Sequence, residues 1–148
     1  MRKLRKRIFS CLIACMLACI MFTLPVYAAN GSFSKTTVKL NAMNGGYSVT
    51  SYLTSGSIPD GAYITSVKVN VKVASGTDPY TLYIESPEGT IGTFSGPTST
   101  SSFVTHIFDG ESPAGTWAVW IKNGGISYIG NIYPTSTVTV TLTVYYSY

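Results

Sequence analysis

The side chains able to do acid–base or nucleophilic work are few. His106 is the sole imidazole in 148 residues. A Ser-His-Asp relay needs such a base beside a hydroxyl nucleophile and held by a carboxylate. His106 lies in Phe103-Val104-Thr105-His106-Ile107-Phe108, which reads as a strand with the histidine on its wetter face, a plainer role than that of a base. Zinc needs three or four nitrogen or sulfur ligands, more than one histidine supplies. Two carboxylates could cleave a glycoside, but Asp60, Asp78, Glu85, Glu88, Asp109 and Glu111 fall at turns or strand ends with no pattern pairing any two. An enzyme is therefore not expected. Calcium asks only for clustered oxygens. Asp109-Gly110-Glu111 puts two carboxylates in one tight loop, and Asp78 joins them if the loops gather at one end. These three are the candidate calcium ligands, set against solvated turn carboxylates as the simpler alternative. No other cofactor is implied.

Binding is the other available chemistry. If Trp117, Val119 and Ile121 enter a core, strand alternation sends Trp120 outward beside Ala118 and Lys122. The same parity sets Tyr83 opposite Leu82 and Ile84, and Tyr145 opposite Val144. Trp120, Tyr83 and Tyr145 are thus the candidate binding residues, flat amphipathic rings suited to stacking on sugars or to burial against a protein. The competing reading covers Trp120 with a second sheet or with the apolar segment 126–134.

The elements that must hold these residues are strands. Thr137-Val138-Thr139-Val140-Thr141-Leu142-Thr143-Val144 alternates without error, and Val67-Lys68-Val69-Asn70-Val71-Lys72-Val73 does the same. Weaker strands are expected at residues 37–42, 47–53, 80–85, 89–94, 102–108 and 117–122, separated by Gly, Pro, Asn and Asp turn signals. No stretch carries a helical period. About eight short strands, each with one apolar face, bury those faces most economically as two antiparallel sheets packed in a sandwich.

The N-terminus belongs to a different class. Five positive charges in residues 1–7 precede an apolar run over residues 8–24, and Pro25-Val26-Tyr27-Ala28-Ala29 follows with small residues at −3 and −1. These are the parts of a secretory signal, expected to span residues 1–28 with the cut after Ala28, or after Ala29 as the alternative. An uncleaved anchor and a lipid-modified Cys15 are the less favoured readings. The signal would take with it Cys11, Cys15, Cys19 and half of the basic residues. Residues 29–148 then form a single domain with five lysines against six carboxylates, a net charge of −1. A formal +4 for the whole chain is therefore no argument for nucleic acid or anionic membrane. The expected location is extracellular, with attachment to the cell surface as a variant.

Two segments carry a family likeness. Leu82-Tyr83-Ile84-Glu85-Ser86-Pro87-Glu88-Gly89-Thr90 runs a strand into SP-x-GT, and Phe108-Asp109-Gly110-Glu111-Ser112-Pro113-Ala114-Gly115-Thr116-Trp117-Ala118-Val119-Trp120-Ile121 contains PAGTW. In this order the two resemble the P domain, or homo B domain, of proprotein convertases and bacterial subtilisin-like serine proteases, over about residues 62–123. The resemblance implies a jelly-roll, galactose-binding-like sandwich that accompanies a serine endopeptidase and stabilises it. It also implies calcium in acidic loops, although the expected strand-initial aspartate falls at Pro79, one residue after Asp78. Both motifs are turn-then-strand devices, with prolines fixing φ and Gly89 and Gly115 permitting left-handed backbone. Three function classes follow: an accessory module for a secreted protease; a carbohydrate or cell-envelope binding module using the exposed aromatics; or a self-associating surface protein whose Thr-rich last strand is an assembly edge.

Overall fold

The computed structural model describes residues 28–125 and 134–148. The expected signal peptide, apart from Ala28, and the body of the apolar segment after Gly125 lie outside the described residues. Those residues form nine strands and no helix: β1 (Asn30–Thr36), β2 (Leu40–Met43), β3 (Ser51–Thr54), β4 (Tyr63–Val73), β5 (Tyr80–Glu85), β6 (Ile91–Ser95), β7 (Ser101–Thr105), β8 (Thr116–Asn123) and β9 (Thr135–Ser147).

Every pairing is antiparallel. One sheet runs β1-β9-β4-β7, with β2 also on β9, and the other runs β3-β8-β5-β6. β1 and β2 form one interrupted edge. Thr36 faces Thr141 and Leu40 faces Val138, so three residues on the edge oppose two on β9, the extra residue of a bulge. Counting that edge once, the chain visits the sheets in the order one, two, one, two, two, one, two, one. That palindrome is the double Greek key of a jelly roll, as expected.

The core follows from alternation. Val67, Val69 and Val71 of β4 and Val138, Val140, Leu142 and Val144 of β9 are buried, facing Leu82 and Ile84 of β5 and Trp117, Val119 and Ile121 of β8. Each such side chain contributes about 1.5–3 kcal/mol through removal from water. Phe108 enters the same core and meets Trp117 edge-on, with ring centres 5.2 Å apart at 80°.

Three expectations change here. β1 is an additional strand: it has one large apolar residue, Phe33, and is held by pairing along β9 rather than by an apolar face. β7 ends at Thr105, so His106 lies in the following turn and not in a strand. β9 is no assembly edge either, because β1 and β2 occupy one side of it and β4 the other. The self-association reading loses its structural basis with that pairing.

Candidate functional site: an aromatic face on the four-stranded sheet

The two resemblance motifs meet in space. The turn Ser86–Gly89 closes with Gly89 N–H donating to Ser86 O at 3.0 Å, and Ser86 Oγ accepts from Thr90 N–H at 3.2 Å. Glu88 Oε1 then accepts from Ser112 N–H at 2.6 Å. Gly115 has φ +127° and packs so closely that a Cβ there would lie 2.8 Å from Pro87 Cβ. Its N–H donates to Ser55 Oγ at 3.0 Å, and its carbonyl accepts from Ser55 N–H at 2.9 Å. SP-x-GT and PAGTW are therefore two halves of one clasp that also grips the chain after β3. They supply no free reactive group.

The clasp delivers β8 with its phase fixed. Trp117, Val119, Ile121 and Asn123 point inward; Ala118, Trp120 and Lys122 point to the outer face. On β5 the outward residues are Thr81, Tyr83 and Glu85. The β5–β8 register sets Tyr83 directly opposite Trp120. Their rings stack with centroids 5.4 Å apart and planes 3° from parallel. Tyr47, bridged to Lys122 through the backbone, tilts against Tyr83 at 6.3 Å, and Lys122 Nζ stands 5.1 Å from the Tyr47 ring centre. Tyr52 of β3, paired with Ala118, extends the face at the other side of Trp120. Tyr47 and Tyr52 are 62% and 71% exposed, whereas Trp120 and Tyr83 are half-buried in their mutual stack. A cluster of four aromatic rings with one cation at its border results. It can cover a sugar face by CH–π contact or anchor a protein partner.

Of the candidate binding residues, Trp120 and Tyr83 come together as the centre of this face. The second sheet packs against the side of β8 that carries Trp117, not the side that carries Trp120. Tyr145 does not join them: it lies on the outer face of the other sheet, paired with Ser32 and Ser66 and 39% exposed. Tyr47 and Tyr52 were not foreseen as members. For Tyr52 a signal existed, because Ser51 and Leu53 bracket it in the inward phase.

The candidate calcium ligands are divided between the two ends of the sandwich. Asp78 is beyond the end of β4, where its Oδ2 accepts from Thr135 N–H at 2.8 Å. Asp109 and Glu111 lie beside the start of β4, with Glu111 O accepting from Ile64 N–H and Gly110 N–H donating to Ile64 O. Residues 64 and 73 of one extended strand are about 30 Å apart, so Asp78 cannot share an ion with the other two. Asp109 Oδ2 is engaged by His106 Nδ1 at 2.8 Å. Among the described residues, no three carboxylate, histidine or cysteine side chains converge as a metal set. The three residues therefore do not fit one calcium ion. His106 with Asp109 is two-thirds of a relay, yet Nδ1 also faces Thr65 O at 3.2 Å and no hydroxyl among the described residues is hydrogen-bonded to the ring.

No protein-family model matches the chain, and no curated protein matches it in sequence. Its fold is similar to solved structures. FlhE aligns with a TM-score of 0.55 and 18% identity over 80% of this chain and 96% of its own. The serine protease of Aeromonas sobria aligns at 0.56 and 14% identity, over 87% of this chain but 29% of the other. A chain in the complex of that protease with the chaperone ORF2 aligns at 0.57 and 15%, again over 87% and 29%. At these identities the likeness is one of fold.

Proposed function

We propose that this protein is a secreted, non-catalytic module of P-domain type that docks on and stabilises a subtilisin-like serine protease, using the aromatic face of its four-stranded sheet. The observation that carries the reading is the Trp120–Tyr83 stack with Tyr47 and Tyr52 beside it, on the strand that the PAGTW clasp phases. Large aromatics on a rigid sheet are the side chains that dominate protein–protein affinity. The P-domain assignment is supported by the two motifs and by the jelly-roll order of the strands. It is further supported by the equal 29% share matched in the free Aeromonas protease and in its complex, since the protease is the component common to both.

The test is binding of residues 29–148 to active-site-blocked subtilisin-like proteases secreted by the same cell, with the protease's half-life at elevated temperature as second readout. Saturable binding is expected, weakened about thirtyfold or more in Trp120→Ala, the loss typical of an interface hot spot. Absence of both binding and protection would dispose of the reading. A carbohydrate role is favoured by one specific feature, the exposed Tyr47 and Tyr52 rings on either side of the Trp120–Tyr83 stack, which are open to CH–π contact with a pyranose ring. Retention on neutral polysaccharide that Trp120→Ala abolishes would select it.

A further inference from the structure

The outer face of the four-stranded sheet is built as two matching halves about a central row. Trp120 of β8 and Tyr83 of β5 form that row. Two positions along the strands to one side lies the line Tyr47, Lys122, Thr81. Two positions to the other side lies the line Tyr52, Ala118, Glu85. Each line has an exposed tyrosine at its β3 side and one charge, and the two charges are opposite. Lys122 and Glu85 are four positions and one strand apart, about 14 Å, too far to pair within one chain. A half-turn about an axis lying along the central row exchanges the two lines. A second copy placed by that half-turn sets its Tyr52 over Tyr47 and its small Ala118 over Lys122. The second copy's Glu85 is then one strand, about 4.8 Å, to the side of Lys122. The flexible lysine stem spans that offset. Symmetry repeats each contact, so two Lys122–Glu85 pairs form between the copies.

The charge of the whole domain agrees with this arrangement. Asp60, Glu85, Glu88, Asp109 and Glu111 gather at the end where β4 begins. Lys39, Lys72 and Lys122 lie at the end where β4 stops, with Asp78, whose carboxylate accepts from the Thr135 amide. Lys35 and Lys68 are midway. The domain is thus a dipole along its strands. The half-turn sets each acidic end against the basic end of the other copy, whereas a half-turn about an axis along the strands would bring like ends together. We infer that this face pairs two copies of the chain, strands antiparallel, about a two-fold axis along the Trp120–Tyr83 row. Self-association has no basis at the filled β9 edge; this sheet face supplies another. Four strands about 4.8 Å apart and about six residues long offer roughly 400 Å² of flat sheet per copy. That belongs to the weak class of interface, below about 1,200 Å² in total, so the dimer is reversible. The inference rests on the docking reading only in sharing its face, for which a second copy and a protease would compete.

Sedimentation equilibrium of residues 29–148, which hold all nine strands, reads the pairing with no protease present. A reversible dimer is expected, half formed between about 1 μM and 1 mM. Glu85→Lys and Lys122→Glu should each weaken it about tenfold or more, because each turns both charge contacts from attraction to repulsion. Mixed in equal amounts, the two variants should form a heterodimer within about threefold of the parent's affinity, since every contact again joins opposite charges. Lys68→Glu, the same change of charge on the other sheet, should leave the dimer unchanged. Circular dichroism confirms that the variants fold. A chain still monomeric at about 1 mM, a dimer that both reversals leave intact, or a mixture that does not restore pairing would each overturn the inference. Protease binding by a chain that stays monomeric would overturn the dimer and leave the docking role standing.

Discussion

Replacing Gly115 with alanine tests whether the clasp holds the sandwich together. Two costs arise from the geometry. An L-residue held at φ +127° is strained by about 1–3 kcal/mol. The new Cβ would also stand 2.8 Å from Pro87 Cβ and 3.2 Å from Pro87 Cγ, against about 3.5–4.0 Å for ordinary carbon contact. A proline ring cannot swing aside, so the backbone must move, adding about 1–3 kcal/mol of overpacking. That movement pulls on both hydrogen bonds to Ser55. The expected loss is about 3–5 kcal/mol, which lowers Tm by roughly 10–25 °C for a domain of this size. Urea titration at fixed pH gives the free energy, and a Pro87→Gly background separates the two costs. Removing the ring should abolish the steric part and leave the strain, so Gly115→Ala costs less there than in the parent. A loss below about 1 kcal/mol, or the same loss in both backgrounds, would refute the clasp.

Other expectations are briefer. Trp120→Ala should cost only about 1 kcal/mol of stability, the stacking with Tyr83, while removing most partner binding; a large stability loss with binding intact would place Trp120 in the core instead. Tyr80 Oη is buried and finds no hydrogen-bond partner among the described residues, so Tyr80→Phe should raise stability at neutral pH by about 1 kcal/mol in denaturant titration. Burial pushes the Tyr80 phenol well above its ordinary range. The folded state therefore keeps this proton after the unfolded chain has lost it. The tyrosine's contribution is constant below about pH 10 and declines above it by about 1.4 kcal/mol per pH unit. Tyr80→Phe should remove that slope. Because Asp78 is remote from Asp109 and Glu111, millimolar calcium should leave Tm within about 1 °C; a clear rise abolished by Glu111→Gln would reinstate a loop site.

The strands that proved legible in the sequence are those whose two faces differ most. β4, β5 and β9 alternate apolar and polar residues because one side meets the core and the other meets water, and β5 agrees at both ends with its expected span. β1 was illegible for the opposite reason. Its fit depends on Gly31 leaving room for the Tyr146 ring and on hydroxyl pairs across to β9, neither of which leaves an apolar period. The stretch 102–108 misled because Phe108 is fully buried from within a turn, which prolongs the strand's period past its true end. For the site, parity placed Tyr83, Trp120 and Tyr145 on the outward side of their strands. Parity says nothing about which sheet a strand joins or which residue stands opposite. The Tyr83–Trp120 stack, the removal of Tyr145 to the far face and the separation of Asp78 from Asp109 are all consequences of pairing between distant segments.

The clasp and the aromatic face are linked through one register. Side chains on a strand repeat every second residue, so a slip of one position in β8 would turn Trp117, Val119 and Ile121 out to water and drive Trp120 and Lys122 inward. The burial that resists this is several kcal/mol for the three core residues together. It acts only if the entry of β8 is fixed, and the entry is fixed at Gly115, between Pro87 and Ser55. PAGTW thus serves the aromatic face without being part of it. Its tryptophan anchors the inward phase, and three residues later the same phase presents Trp120. The motif therefore serves the fold, and the outward positions that follow it are left free of that duty. Under the docking role proposed above, specificity rests on Tyr47, Tyr52, Tyr83 and Trp120, none of which lies within PAGTW.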